Sequence, residues 1–305
     1  MNKVEEQEED LSGLPTGTLI RGRGGFYTVL DEDGQEYTLR CKKKFRHMHL
    51  SPLVGDVVRF SPGEGEEHGW LEEILPRRSE CLRPPVANVE LLLIVIAPVP
   101  EPDLLLVDRL MVRAIRQHMD VLLVVNKSEL DPALAESIRA QYRGAEVPVF
   151  AVSAETGEGL ETLKRQLTGR LCCLTGQSGV GKSTLLSAML GMNLETGVLS
   201  EKIQRGKNTT RHAELLYRDG LRVLDTAGFS LLELDGQTDP VTLKDDYPEM
   251  RLYEGKCRFQ PCLHDREPGC AVTAACAAGE IDKERLERYR LLLAEVRQAW
   301  RNRYD

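Results

Sequence analysis

Hydrophobic and polar positions change their rhythm twice along the chain. From residue 18 to residue 80, short β-rich runs (TLIRG, FYTVL, QEYTLR, DVVRF, WLEEIL) are separated by the turn-forming stretches DEDGQ and SPGEG. Five such runs in sequence predict a small β-barrel of the oligonucleotide/oligosaccharide-binding (OB) type. After Pro84 and Pro85 the apolar runs become continuous and alternate with helical segments. VELLLIVIA precedes a helix over 104–118, DVLLVVN a helix opening at Asp131 and Pro132, VPVFAVSA a helix from Leu160 and RLCCLT a helix from Lys182; LRVLD closes the series. That alternation predicts a parallel sheet covered by helices, an α/β domain. Asp131 then Pro132 is a favourable N-cap and first-turn pair. From about Val241 the strand signal stops, and cysteines and a histidine lead into a terminal helix. Its Leu286, Tyr289, Leu293, Val296 and Trp300 form one apolar stripe at spacings of three and four. The expected organisation is an acidic tail (1–13), a barrel (14–80), an α/β domain (81–240) and a helical cysteine-bearing domain (241–305).

Composition narrows the function classes. The longest apolar run, residues 91–97, is ended by Pro98 and is far short of the ~20 residues a membrane helix needs. The N-terminal MNKVEEQEED lacks the apolar segment of an export signal, so a cytoplasmic location is expected. With 40 basic and 48 acidic residues the net charge is −8, which excludes coating nucleic acid by bulk electrostatics. Against that background RCKKKFRHMH stands out, with Arg40, Lys42, Lys43, Lys44 and Arg46 and no acid. On a barrel of this type it is a candidate RNA contact; the alternative is a solvated loop.

The strongest chemical signal is Gly176, Gln177, Ser178, Gly179, Val180, Gly181, Lys182, Ser183 and Thr184, a G-x-x-x-x-G-K-[ST] phosphate loop between a strand and a helix. Glycines let backbone N–H groups turn toward phosphates and the helix N-terminus adds a favourable dipole. Lys182 reaches the β and γ phosphates, and Ser183 can ligate magnesium. Two further elements separate GTP from ATP. Asp225, Thr226, Ala227 and Gly228 resemble the magnesium-associated D-x-x-G motif of Ras-like GTPases, where the glycine N–H meets the γ phosphate. Asn126, Lys127, Ser128 and Glu129 resemble the guanine-reading N-K-x-D motif, whose carboxylate accepts from two donors that adenine lacks. Glu129 stands in place of the aspartate, one methylene longer. Ser153 and Ala154 resemble the backbone element that contacts guanine O6.

The order of these motifs is rotated: guanine readers first, then phosphate loop, then Asp225. Such a circular permutation is tolerable because domain termini usually lie close together at the surface. Near the C-terminus, Cys257-x4-Cys262-x-His264-x5-Cys270 offers three thiolates and one imidazole, the ligand set of a closed structural zinc site; the alternative is a group of reduced thiols.

In this order (barrel, permuted GTPase, cysteine domain) nearly the whole chain resembles the bacterial circularly permuted GTPases that depend on the small ribosomal subunit. The resemblance implies a magnesium-dependent GTP hydrolase acting late in small-subunit maturation, stimulated by the subunit, and working on rRNA as a monomer with one structural zinc ion. It further implies that Thr209 and Thr210 sense magnesium (Thr210) and the γ phosphate, and that Lys182 and Gly228 act in hydrolysis beside the magnesium ligands Ser183 and Asp225. In the threonine segment, Asn208 replaces the family's histidine and Arg211 its third threonine. Phe229 occupies the position of the water-orienting glutamine of Ras, so slow intrinsic turnover is expected. Because the permutation makes the segment after Gly228 the lead-in to the cysteine domain, loss of the γ phosphate is expected to move that domain and release the subunit. Two rival functions compete with this one: a constitutive RNA-binding module with a vestigial nucleotide site, and a phosphate-loop kinase. Lys182, Ser183 and Asp225 speak against the first, and the two guanine-type motifs against the second.

Overall fold

The computed structural model describes residues 11–42, 44–45, 50–63, 67–82, 85–192, 213–225 and 238–304. Strands β1 (Thr16–Arg23), β2 (Phe26–Asp31), β3 (Glu36–Cys41), β4 (Val57–Ser61) and β5 (Gly69–Ile74) form the expected barrel, ordered β1-β2-β3-β5-β4 and closed by pairing of β1 with β4. Of these five strands only β3 and β5 pair in parallel. Alternation along the strands sends Leu19, Val29, Leu39, Val58, Phe60 and Leu71 inward, where each is buried. A short hairpin, β6 (Glu80–Leu82) and β7 (Pro85–Ala87), links the barrel to the α/β domain.

The α/β domain is built on β8 (Leu91–Ile96), β9 (Asp120–Val125), β10 (Val149–Ala151), β11 (Leu171–Thr175), β12 (Glu214–Arg218) and β13 (Leu221–Asp225). Its spatial order is β10-β9-β8-β11-β13-β12, all parallel except β12, which returns antiparallel to β13. The sheet is continuous with the barrel through one pair, Arg21 opposite Glu214. Every residue of β8 is buried because both faces are covered, which is why this strand reads as an unbroken apolar run. Leu92, Ile94 and Ile96 pack against helices α1 (Leu104–Arg116) and α2 (Pro132–Gln141). Leu91, Leu93 and Val95 face α3 (Leu160–Leu167) and α4 (Lys182–Leu190). Asp131 caps α2 as expected, accepting from the N–H of Ala133 at 3.0 Å. The chain grows outward from β8, first toward β10 and then, from β11, toward the other edge. The crevice beyond the C-terminal ends of β8 and β11 is therefore the switch point where open α/β sheets bind ligands.

Differences from the expected elements are local. The helix α1 stops at Arg116, two residues early, and His118 takes a left-handed conformation. The sequence pattern predicts neither the β6–β7 hairpin nor β12. Only Leu215 of β12 is fully buried, so this edge strand leaves little periodic signal.

The C-terminal region, among its described residues, is helical: α5 (Pro248–Arg251), α6 (Ala271–Ala277) and α7 (Lys283–Arg301). The predicted stripe of α7 is buried except for the half-buried Trp300. That stripe also carries two arginines. Asp108, fully buried on α1, accepts from Tyr142 Oη at 2.6 Å, from Arg288 Nε at 2.8 Å and from Arg285. Arg285 also donates to Glu249 Oε1 at 2.7 Å, and its guanidinium lies 4.8 Å from the ring centroid of Tyr142 and 4.5 Å from that of Tyr247. This network, with the Arg116–Asp246 pair at 2.6 Å, fixes the terminal domain to α1.

Candidate nucleotide and metal sites

The phosphate loop leaves the end of β11 and enters α4 at Lys182. Its backbone demands glycine at both ends. Gly176 has φ +134°, and a Cβ there would stand 2.1 Å from the carbonyl oxygen of Val95. Gly181 has φ +89°, and a Cβ would stand 2.5 Å from Nδ2 of Asn126. Val180 is buried and anchors the loop, whereas Ser178, Gly179 and Thr184 are exposed and Ser183 lies half-buried in the first turn of α4. Lys182 Nζ donates to the carbonyls of Gly176 at 2.8 Å and Gln177 at 2.6 Å. Burial lowers its pKa, because desolvation disfavours the ammonium. A phosphate would replace those carbonyls with a full opposite charge.

The guanine-type elements meet this loop directly. Asn126, 1% exposed at the end of β9, donates from Nδ2 to the Val180 carbonyl at 2.9 Å and accepts on Oδ1 from the N–H of Ala154 at 3.1 Å. One side chain thus joins all three motifs. Lys127, in a left-handed conformation, turns its Nζ back to the carbonyls of Gly179 and Val99, each at 2.8 Å. Ser153 is buried and orders its turn, accepting on Oγ from the N–H of Thr156 at 3.0 Å. Glu129 is exposed beside this junction. Asp225 ends β13, the parallel neighbour of β11. Thr209, Thr210, Gly228 and the replacements Asn208, Arg211 and Phe229 lie outside the described residues.

The profile of the RsgA GTPase family matches residues 74–235, and that of the RsgA N-terminal domain matches residues 16–71. The chain belongs to the RsgA GTPase family. Proteins named small ribosomal subunit biogenesis GTPase RsgA from Moorella thermoacetica and Agathobacter rectalis are 43% and 38% identical to it. Each alignment spans 92% of this chain, and 97% and 98% of the respective relative. Among solved structures, YjeQ from Thermotoga maritima superposes with a TM-score of 0.78 at 32% identity, covering 92% of this chain and 98% of that one. YloQ, described as a circularly permuted GTPase, gives 0.79 at 28% identity, covering 96% and 98%. As a member of the RsgA GTPase family the chain is an enzyme, and its rotated motif order agrees with the description of that neighbour as circularly permuted.

The chain also brings Cys257, Cys262, His264 and Cys270 together, their ligand atoms all within 4.8 Å of one another. His264 Nδ1 lies 3.6 Å from Cys257 Sγ and 3.4 Å from Cys270 Sγ. Metal–ligand lengths of about 2.3 Å to sulfur and 2.0–2.1 Å to nitrogen on a tetrahedron require an edge of about 3.5 Å, so the group can hold a metal ion. Burial lowers the pKa of His264, because desolvation disfavours the imidazolium. Sequence reasoning missed the residue that shapes this loop. Glu267 accepts from the N–H groups of Leu263 at 2.9 Å and Asp265 at 2.8 Å. Cys41, Cys81, Cys172 and Cys173 lie elsewhere in the chain, and Cys276 stands outside the cluster.

On the barrel, Lys42 is not free in solvent: it pairs with the buried Glu72, whose Oε1 accepts from Ser61 Oγ at 2.7 Å. Arg40 and Lys44 are exposed, over the rings of Phe26 and Phe45 respectively. Lys43 and Arg46 lie outside the described residues. Also missed was the scaffold role of Gln177. Its side chain accepts from the Asp103 N–H at 2.9 Å and donates to the Glu101 carbonyl at 3.1 Å, bracing the phosphate loop on the lead-in to α1.

Proposed function

We propose that this chain is a late-stage maturation factor of the small ribosomal subunit, whose GTP hydrolysis is stimulated by the subunit and whose nucleotide state controls its residence on rRNA. The observation that carries the reading is the bridge through Asn126, which ties a guanine-type reader to a complete phosphate loop. The names of its relatives supply the ribosomal setting. In this reading, main-chain N–H groups of residues 176–184 and Lys182 hold the phosphates. Ser183, Thr210 and Asp225 hold magnesium, Thr209 and Gly228 meet the γ phosphate, and Asn126, Lys127, Glu129, Ser153 and Ala154 face the base. Arg40, Lys42, Lys43, Lys44 and Arg46 form the barrel's contribution to the RNA contact.

In this reading, loss of the γ phosphate relaxes the segment after Gly228 and moves the terminal domain relative to the GTPase core, which releases the subunit. GTP turnover should be slow alone and rise by at least an order of magnitude with purified small subunits, measured as phosphate release. No rise with subunits, in a protein that binds GTP, would remove the ribosomal part of the reading.

The metal is proposed to be one structural zinc ion held by Cys257, Cys262, His264 and Cys270, because a closed set of three thiolates and an imidazole leaves no position open for substrate. Native mass spectrometry should show one zinc per chain, and its removal by a strong chelator should lower the melting temperature. A fully folded, metal-free protein of equal stability would refute this.

A further inference from the structure

The register of the barrel sets four side chains in one row across its outer surface. Arg23 pairs with Phe26, Phe26 with Arg40, and Arg40 with Trp70, on strands β1, β2, β3 and β5. Directly opposed residues share a face. The neighbours Val29, Leu39 and Leu71 point into the core, so this face is the outer one. The row therefore alternates cation, ring, cation, ring. The Arg40 guanidinium lies 4.8 Å from the Phe26 ring centroid, and His68 meets the same ring edge-on at 4.8 Å. Trp70 is 45% exposed, and among the described residues no hydrogen bond or ring contact occupies its ring. The acids that border the row are engaged: Glu72 with Lys42, and Glu36 with Arg21 and Tyr217.

From this arrangement we infer that the outer face of β2, β3 and β5 is a stacking platform for unpaired nucleotides of single-stranded RNA, with Phe26 and Trp70 as the base-binding rings. The inference rests on the proposed barrel–RNA contact and adds to it the form of RNA and the residues that read it. Three physical points favour that ligand. Phe26 and Trp70 are separated by one intervening strand, roughly 10 Å, so each can take a base while Arg40 between them meets the phosphate. The β2–β3 face is the side on which barrels of this type hold oligonucleotides. A duplex buries the faces of its bases, leaving such rings nothing to stack on, whereas splayed bases in loops and single strands present theirs.

The chain contains two tryptophans, so Trp300→Phe leaves Trp70 as the sole tryptophan reporter. In the full-length protein, an unstructured oligoribonucleotide should quench Trp70 fluorescence. Trp70→Ala and Phe26→Ala, assayed by anisotropy of labelled RNA, should each weaken its binding about tenfold or more. Trp70→Phe should restore most of the loss. A duplex of equal length and inorganic polyphosphate should bind less tightly, with affinities unmoved by either alanine. Arg40→Ala should weaken all three ligands.

If RNA or small subunits bind but single strands and duplex respond alike to Trp70→Ala and Phe26→Ala, the platform is wrong while the barrel–RNA contact stands. If no RNA and no subunit binds, the contact itself fails and the platform with it. If Trp70→Ala weakens subunit binding while no oligoribonucleotide quenches Trp70, the row meets protein and the inference is overturned. Equal melting temperatures of the variants would confirm that the rings of Phe26 and Trp70 are not needed for folding.

Discussion

Lys182→Ala is expected to reduce GTP turnover by at least ~10²-fold in kcat, about 2.7 kcal/mol or more of transition-state stabilisation, while leaving the fold intact. The magnitude follows from where the ammonium sits. It is half-buried and held by the carbonyls of Gly176 and Gln177, so it is already desolvated and aimed into the loop when phosphate arrives. A fixed charge that needs no reorganisation stabilises developing negative charge far better than a solvated one. Little packing depends on it, since its partners are loop carbonyls that water can satisfy. Single-turnover phosphate release in the presence of small subunits measures the effect, with a melting curve as the control. Turnover within threefold of the unaltered protein would show that another group neutralises the phosphates.

Asp108→Ala is expected to destabilise the protein by ~3–5 kcal/mol, lowering the melting temperature by roughly 10 °C. The carboxylate is fully buried between Arg285, Arg288 and Tyr142, and its removal leaves, among the described residues, Gln141 at 3.1 Å as the hydrogen-bond partner of the Arg288 side chain and Glu249 as that of the Arg285 side chain. Asp108→Asn keeps the shape and half of the acceptors and should fall between. Replacing Asp108, Arg285 and Arg288 together by apolar residues of similar size should recover much of the loss, because the penalty comes from stranded charge rather than from lost attraction. Calorimetry would decide this, and an unchanged transition in Asp108→Ala would refute the account.

Much of the architecture is legible because burial on both faces of a parallel sheet writes an unmistakable pattern. Leu91 to Ile96 and Leu171 to Thr175 could be little else. The phosphate loop and the Cys257–Cys270 cluster are legible for a different reason: their chemistry tolerates few residue types at fixed spacing. What escapes are contacts between distant polar side chains. Arg285 and Arg288 read as ordinary surface residues of a charged helix. The available clue is Asp108 set among the buried Val107, Leu110 and Met111, an acid on an apolar face that needs a partner. Lys42 reads as part of a uniformly basic loop, since nothing local links it to Glu72. Gln177 and Lys127 brace the phosphate loop through main-chain carbonyls, and carbonyls leave no trace in a sequence.

The sheet that grows outward from β8 also has a consequence for how the chain is made. During synthesis β9 soon covers one edge of β8, but the other edge waits for β11, residues 171–175. At ~5–20 residues per second that wait is on the order of ten seconds. Throughout it a fully apolar strand, LLLIVI, has open hydrogen-bonding groups along one side, the kind of edge that recruits other chains. The rotated motif order therefore places this open edge in the interval before the phosphate loop exists, when no nucleotide can yet bind to stabilise the half-built domain.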